Sequence, residues 1–291
     1  MQRTTPFPQS SPFSQDTGTL PGGHPYAVVG SGSRALAVLP GFGDAMFPGA
    51  YPPGAGLALA PYFARYLDEY TVYLVSRPRG LPPEYDADRA AETHARPLES
   101  IADSHEGVDL LGISMGGLIG QALARRRPDL VDRLVLANSA CRLDADARSD
   151  VREFERYARA RDWQSIRSKL ARDMFSDGRA ITYPPIVQTI GRFLLPRPAE
   201  PADVRRSLEF ILAFDGCDRL DELRQPTLVF GGERDPYFTA ALAGRTADEL
   251  PNGTLELVPG AKHGAFHERK LTFDATVRSF LDRTAASGDD S

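Results

Sequence analysis

The chain has 291 residues, 42% of them hydrophobic and 25% charged, with a formal net charge of −5. That is the balance of a globular chain, long enough for one large domain with an insertion, and without a basic stripe for nucleic acid. No apolar run reaches the roughly 20 residues of a membrane span, and residues 1–14 lack the apolar core of a signal peptide, so a soluble, cytoplasmic protein is expected.

Residues 1–24 are rich in Pro, Ser, Thr and Gly and are expected to be a flexible lead-in. A short strand is predicted over 26–29 and a buried parallel strand over 35–39, ending in Pro40-Gly41-Phe42-Gly43-Asp44. Residues 45–60 form a long Gly/Pro-rich loop whose apolar side chains, Met46 and Phe47 among them, either line a neighbouring site or simply cover the surface. A helix is predicted over 61–70 with Pro61 in its first turn, then a strand over 71–75 closed by Arg77-Pro78-Arg79-Gly80. The helix predicted over 86–104 carries His94 and ends beside His105. Both are read as solvent-facing, since neither has a partner at metal-ligand spacing.

The apolar run 108–111 then enters Gly112-Ile113-Ser114-Met115-Gly116-Gly117, and a helical run over 118–125 leaves it. Strand, sharp turn, helix is the context a G-x-S-x-G motif requires. A serine at such a turn tip is held in a strained conformation that exposes its hydroxyl. It also lies where the free N–H groups of a helix start favour negative charge. A further strand follows over 134–137. Alternating strands and helices argue for a mostly parallel sheet with crossover helices.

From 144 to 221 the strand signal stops and amphipathic helical stretches replace it, over 150–161, 162–175, 185–193 and 201–214. Strands return over 226–230 and 253–258, with a helix over 239–250 between them and a last helix over 271–283. Asp235 follows the first of these strands and His263 the second. Glu233 and Asp218 are competing acids. His267 is a competing base, placed where the last helix should begin. The two cysteines, Cys141 and Cys217, are too few for a disulfide framework and are expected as small buried hydrophobes.

Over about residues 26–283 the chain resembles the α/β-hydrolases, in their lipase/esterase-like branch with a serine nucleophile. The resemblance implies an α/β fold, with a mostly parallel central sheet flanked by helices. The hydrolase core would span 25–143 and 222–284, a helical cap 144–221, and a loose tail 285–291. It implies Ser114 as nucleophile, His263 as general base and acid, and Asp235 as orienting acid, in the chain order of that fold. Gly231 to Asp235 matches the family's Gly-x-x-x-Asp spacing, and the backbone N–H groups of Phe42 and Met115 take the oxyanion-hole positions. Pro40 stands where the family has histidine, so whatever loop-bracing bond that side chain makes is missing here.

The implied reaction is ester hydrolysis through an acyl-enzyme on a small-molecule acyl substrate, without cofactor or metal. Phe42, Met46, Phe47, Met115 and Tyr237 would give an apolar pocket, and bulky cap residues such as Trp163, Met174, Phe175 and Phe193 would line it. C–C bond hydrolysis, lactone opening, perhydrolysis and acyl transfer need the same groups and stay open, as does a non-catalytic receptor on the same fold. Oligomeric state is not set by these patterns.

Overall fold

Among the residues described by the computed structural model, 15–191 and 194–286, eight strands form one sheet in the order β1-β2-β4-β3-β5-β6-β7-β8. They are β1 (Gln15–Leu20), β2 (His24–Val29), β3 (Arg34–Leu39), β4 (Tyr70–Val75), β5 (Val108–Ile113), β6 (Arg133–Ala137), β7 (Thr227–Gly232) and β8 (Gly253–Val258). The β1–β2 and β2–β4 pairings are antiparallel and the rest are parallel.

The central strands are apolar beyond their first residues, where Arg34, Asp109 and Arg133 pair, because both faces are covered. In β5, Leu110 belongs to one core and Leu111 to the other. In β6, Leu134 and Leu136 face one side, Val135 and Ala137 the opposite one. The first face is covered by α2 (Ala87–Ala102) and α3 (Met115–Arg126), and the second by α1 (Ala55–Phe63) and α10 (Lys270–Ala286), whose Phe273 and Val277 are buried. Two shorter helices, α8 (Ala240–Glu249) and α9 (Ala265–Glu268), follow β7 and β8.

Several expectations are corrected. Residues 15–24, expected to be flexible, contain β1 and the turn into β2, where Gly22 and Gly23 take φ of 83° and 81°. Polar edge strands built from Thr and Gly carry little apolar signal. Residues 1–14 and 287–291 lie outside the described residues. The helix expected over 61–70 runs instead over 55–63 with Pro61 inside it, because the Ala/Leu run ahead of the proline has the stronger helix propensity.

His94 is 1% exposed, not solvent-facing: α2 turns a narrow face of small residues inward, and Nδ1 of His94 donates to Ala90 O at 2.8 Å. His105 is half-buried, its ring against Tyr73. His267 lies in α9, just ahead of the last helix.

Between β6 and β7 stand α4 (Arg148–Arg159), α5 (Trp163–Met174), α6 (Arg179–Ile186) and α7 (Pro201–Ala213). The helix expected over 185–193 is helical over 185–191 but begins earlier, with α6 carrying Pro184 and Pro185 inside it and passing into a π-helix over Val187–Gly191; residues 192–193 lie outside the described residues. Cys141 and Cys217 form a disulfide, contrary to the expectation of two unpaired residues. It closes the neck of this helical insertion, beside the Gly216 N–H to Cys141 O bond of 2.8 Å and the Arg142–Asp215 ion pair. The two cysteines are 76 residues apart in sequence and meet only because β6 and β7 are neighbours. No described helix is long and apolar enough to cross a membrane.

Candidate active site

Ser114 sits between β5 and α3 with φ 52° and ψ −117°, a conformation rare for a residue with a side chain. Close packing holds it there. A Cβ at Gly112 would lie 2.5 Å from Gly116 O, and one at Gly116 would lie 2.0 Å from Leu39 O. Only glycine lets strand, turn and helix approach this closely.

His263, on the loop after β8, places Nε2 3.0 Å from Ser114 Oγ and Nδ1 2.9 Å from Asp235 Oδ2. Asp235 is 3% exposed and its carboxylate is fully used. Oδ1 accepts from the N–H groups of Tyr237 and Phe238 at 2.9 and 3.2 Å, and Oδ2 accepts from Asn138 Nδ2 at 2.9 Å. The imidazole is gripped by rings, with Tyr237 edge-on at 4.9 Å and Phe238 stacked at 5.9 Å.

The competing residues lie elsewhere. Glu233 is exposed and accepts from Gly260 N, Asp218 is exposed in the turn before β7, and His267 stacks on Tyr62. Sequence reasoning missed Asn138, which also takes a positive φ of 48° and whose side chain joins Asp235 to the His263 loop through Lys262 O and Phe266 N. An asparagine directly after a buried strand was the available signal.

Among the described residues, neither the Phe42 nor the Met115 N–H donates to a protein acceptor. The loop bearing Phe42 lies against the serine: a Cβ at Gly41 would be 3.3 Å from Ser114 Cβ. Both N–H groups are therefore without a protein partner among the described residues.

A cavity of about 30 Å³ opens beside Ser114 and His263. Its walls come from Phe42 and Tyr237 and, within the insertion, from Val151, Phe154, Leu170, Leu208 and Ile211, with no carboxylate, lysine or arginine. Met46 and Phe47 are not on these walls. Met46 is buried in the core, and Phe47 packs on Tyr51 with the Arg79 guanidinium over its ring. Of the bulky insertion residues expected here, Trp163 lines a separate cavity with Leu195 and Arg197, and Phe175 packs on Tyr183 and His267. Met174 is not on these walls, and its carbonyl accepts from Gly264 N. Phe193 lies outside the described residues. Leu170 reaches the cavity where Trp163 does not because two helical turns, roughly 10 Å, separate them along α5. A further cavity of about 200 Å³, beside Gln121 and Arg125, does not include Ser114.

Burial first, and Asp173 second, push the Tyr237 phenol well above its ordinary pKa, so it stays a hydrogen-bond donor to that carboxylate. Among the described residues no cluster of His, Cys, Asp and Glu is arranged to hold a metal ion.

A model of the alpha/beta hydrolase family matches residues 36–275. The chain is 30% identical over 189 residues to a Caulobacter sp. (strain K31) protein named provisionally as a carbamate hydrolase, the match covering 62% of this chain and 68% of that protein. It is 28% identical over 203 residues to the pimeloyl-[acyl-carrier protein] methyl ester esterase of Neisseria meningitidis (strain Z2491), covering 68% of this chain and 62% of the esterase. Among solved structures, an alpha/beta hydrolase from a Medee basin deep-sea metagenome library superposes with a TM-score of 0.74 at 16% identity, over 89% of this chain and 94% of that one; this likeness shows the fold alone. Sheet, family match and relatives together define the class as a hydrolase. The chain belongs to the alpha/beta hydrolase family.

Proposed function

We propose that this hydrolase cleaves carboxylic esters bearing a short, uncharged acyl group, through an acyl-enzyme. Ser114 attacks the carbonyl carbon. His263 takes the serine proton and passes it to the leaving alcohol, then activates water for the second half. Asp235 fixes the imidazole tautomer and stabilises the imidazolium. The N–H groups of Phe42 and Met115 meet the charge on the carbonyl oxygen. Residues 144–221 act as the cap that shapes the acyl pocket over a core of 25–143 and 222–284.

The observation that carries this reading is the unbroken chain from Ser114 Oγ through His263 to Asp235, with bonds of 3.0 and 2.9 Å at a strained turn. The small, uncharged cavity supports a short acyl group, since about 30 Å³ is room for only a few waters. The Neisseria relative is named as a methyl ester esterase, which concerns the same bond type. The test is turnover of p-nitrophenyl acetate, with a lactone alongside, together with covalent labelling by a fluorophosphonate. Wild type should do both and Ser114→Ala neither, with its circular dichroism unchanged. Near-wild-type turnover by Ser114→Ala would remove the assignment.

A further inference from the structure

The loop 40–44 belongs to no strand, and the side chain at 40 is a proline that can donate nothing. Yet its first two carbonyls are held by a single residue. Arg77, just after β4, is 2% exposed. Its Nη1 donates to Pro40 O at 3.0 Å and its Nη2 to Gly41 O at 3.1 Å.

The second bond has a geometric consequence. Gly41 C=O and Phe42 N–H belong to one peptide unit. In a planar trans peptide they point in opposite directions. Fixing the carbonyl into Arg77 therefore turns the Phe42 N–H away from Arg77, in a loop that lies against the serine, where a Cβ at Gly41 would be 3.3 Å from Ser114 Cβ. The planar guanidinium fork engages two successive carbonyls at fixed spacing, which a flexible ammonium does not.

Arg77 is itself held. Its N–H donates to Asp44 Oδ2 at 3.0 Å, and Arg79 donates to the same Oδ2 and to Asp44 O, each at 2.8 Å. The turn that follows is pinned to the insertion by Asp203 of α7, whose carboxylate accepts from Gly80 N and Leu81 N at 2.8 Å each. By contrast, Arg133, which is buried, and Arg34, which is partly buried, both pair with a carboxylate, that of Asp109 near the start of β5.

We propose that Arg77 is a positioning residue that aims the Phe42 N–H at the developing oxyanion, in place of the missing side-chain brace at position 40. The inference rests on reading that N–H as an oxyanion donor to a Ser114 adduct.

The experiment compares wild type, Arg77→Lys, Arg77→Met and Arg34→Met on p-nitrophenyl acetate, well below each variant's Tm. It also measures the Ki of a short-chain trifluoromethyl ketone, whose serine adduct carries an oxyanion. Arg77→Lys and Arg77→Met should lose about 10- to 100-fold in kcat, the range expected when an oxyanion donor is misaimed. KM should stay within about threefold, and Ki should rise by a factor matching the fall in kcat/KM. Arg34→Met should lower Tm and leave kcat unchanged. A folded Arg77→Lys with wild-type kcat and Ki overturns the inference, and so does an equal kcat loss in Arg34→Met, which would mark general loosening. If Arg77→Met does not fold, Arg77→Lys decides. A wild type without Ser114-dependent turnover or ketone inhibition would instead overturn the serine mechanism, and this inference with it.

Discussion

The Gly264 amide donates to the Met174 carbonyl at 2.8 Å, seating the loop that carries His263 directly on the end of α5. His263 N reaches Asp173 O at 3.4 Å, and Ser176 donates from backbone and hydroxyl to Glu268. At this corner the helical insertion is stitched to the loop bearing the proposed base. Position 264 has no room for a side chain, because a Cβ there would lie 2.7 Å from Met174 O. Gly264→Ala should therefore push α5 and the His263 loop apart. The expected result is a fall in kcat of about tenfold or more with the fold retained, since small displacements of catalytic groups are strongly felt. Wild-type kcat in the alanine variant would show that the seating does not matter to the chemistry.

Two pairs of substitutions discriminate the acid and the base. Asp235→Asn should lose on the order of 10³- to 10⁴-fold in kcat, because an amide there favours the wrong imidazole tautomer. Glu233→Gln should lose little, since Glu233 is exposed and bonds only the Gly260 amide. His263→Ala should be as impaired as Asp235→Asn, while His267→Ala should lose ring packing on Tyr62, Phe175 and Phe266 and little activity. Comparable losses within either pair, read from kcat on one ester, would reject that residue choice.

These pairs show what sequence makes legible. The parallel strands announce themselves by apolar runs, and the turn at Ser114 by glycines whose absence of Cβ is a local requirement. Asp235 and His263 follow from their places after β7 and β8. What stayed hidden depends on contacts between distant segments. Nothing local in Cys141 or Cys217 says that β6 and β7 will bring them together. The polar look of α2 conceals that its alanine face is too narrow to keep His94 from the core. The apolar residues of α5 are visible, but which of them faces Ser114 depends on how far along the helix the cavity lies. Arg77 was visible as part of an Arg-Gly turn, yet its carbonyl partners belong to a loop more than 30 residues earlier.

Two buried histidines set an acid limit on stability. His24 is fully buried, with its ring nitrogens 3.0 Å from Ser76 O and 3.1 Å from Thr93 O, and burial pulls its pKa from 6.5 down to about 4. His94, edge-on to it at 4.7 Å, is pushed well below 6.5, also chiefly by burial. The folded pKa values lie below the unfolded ones, so the unfolded chain binds protons first as pH falls. The stabilisation is full above about 6.5 and is lost as pH drops toward about 4, by about 3 kcal/mol for His24. Urea unfolding at pH 7.5 and pH 4.5 should show the loss, and His24→Gln should reduce the difference between the two. An equal pH difference in the variant would clear His24 of the effect.

The cavity beside Ser114, proposed to take the acyl group, gives the last expectation. Phe154, Leu170 and Leu208 come from three helices of the insertion and close a cavity of about 30 Å³ over Ser114. Wild type should favour acetyl and propionyl esters over octanoyl ones. Cutting one of these side chains to alanine enlarges the cavity next to the acyl chain. A methylene in an apolar pocket is worth roughly 1–3 kcal/mol, so the octanoate-to-acetate ratio of kcat/KM should rise about tenfold or more in Phe154→Ala or Leu170→Ala. Trp163 provides the control, because it lines a different cavity beside Leu195 and Arg197. Trp163→Ala should lower stability and scale every ester alike. A change confined to Tm in all of these variants, with flat chain-length ratios, would reduce the insertion to packing. A shift confined to Phe154→Ala and Leu170→Ala would make those two side chains the determinants of acyl length.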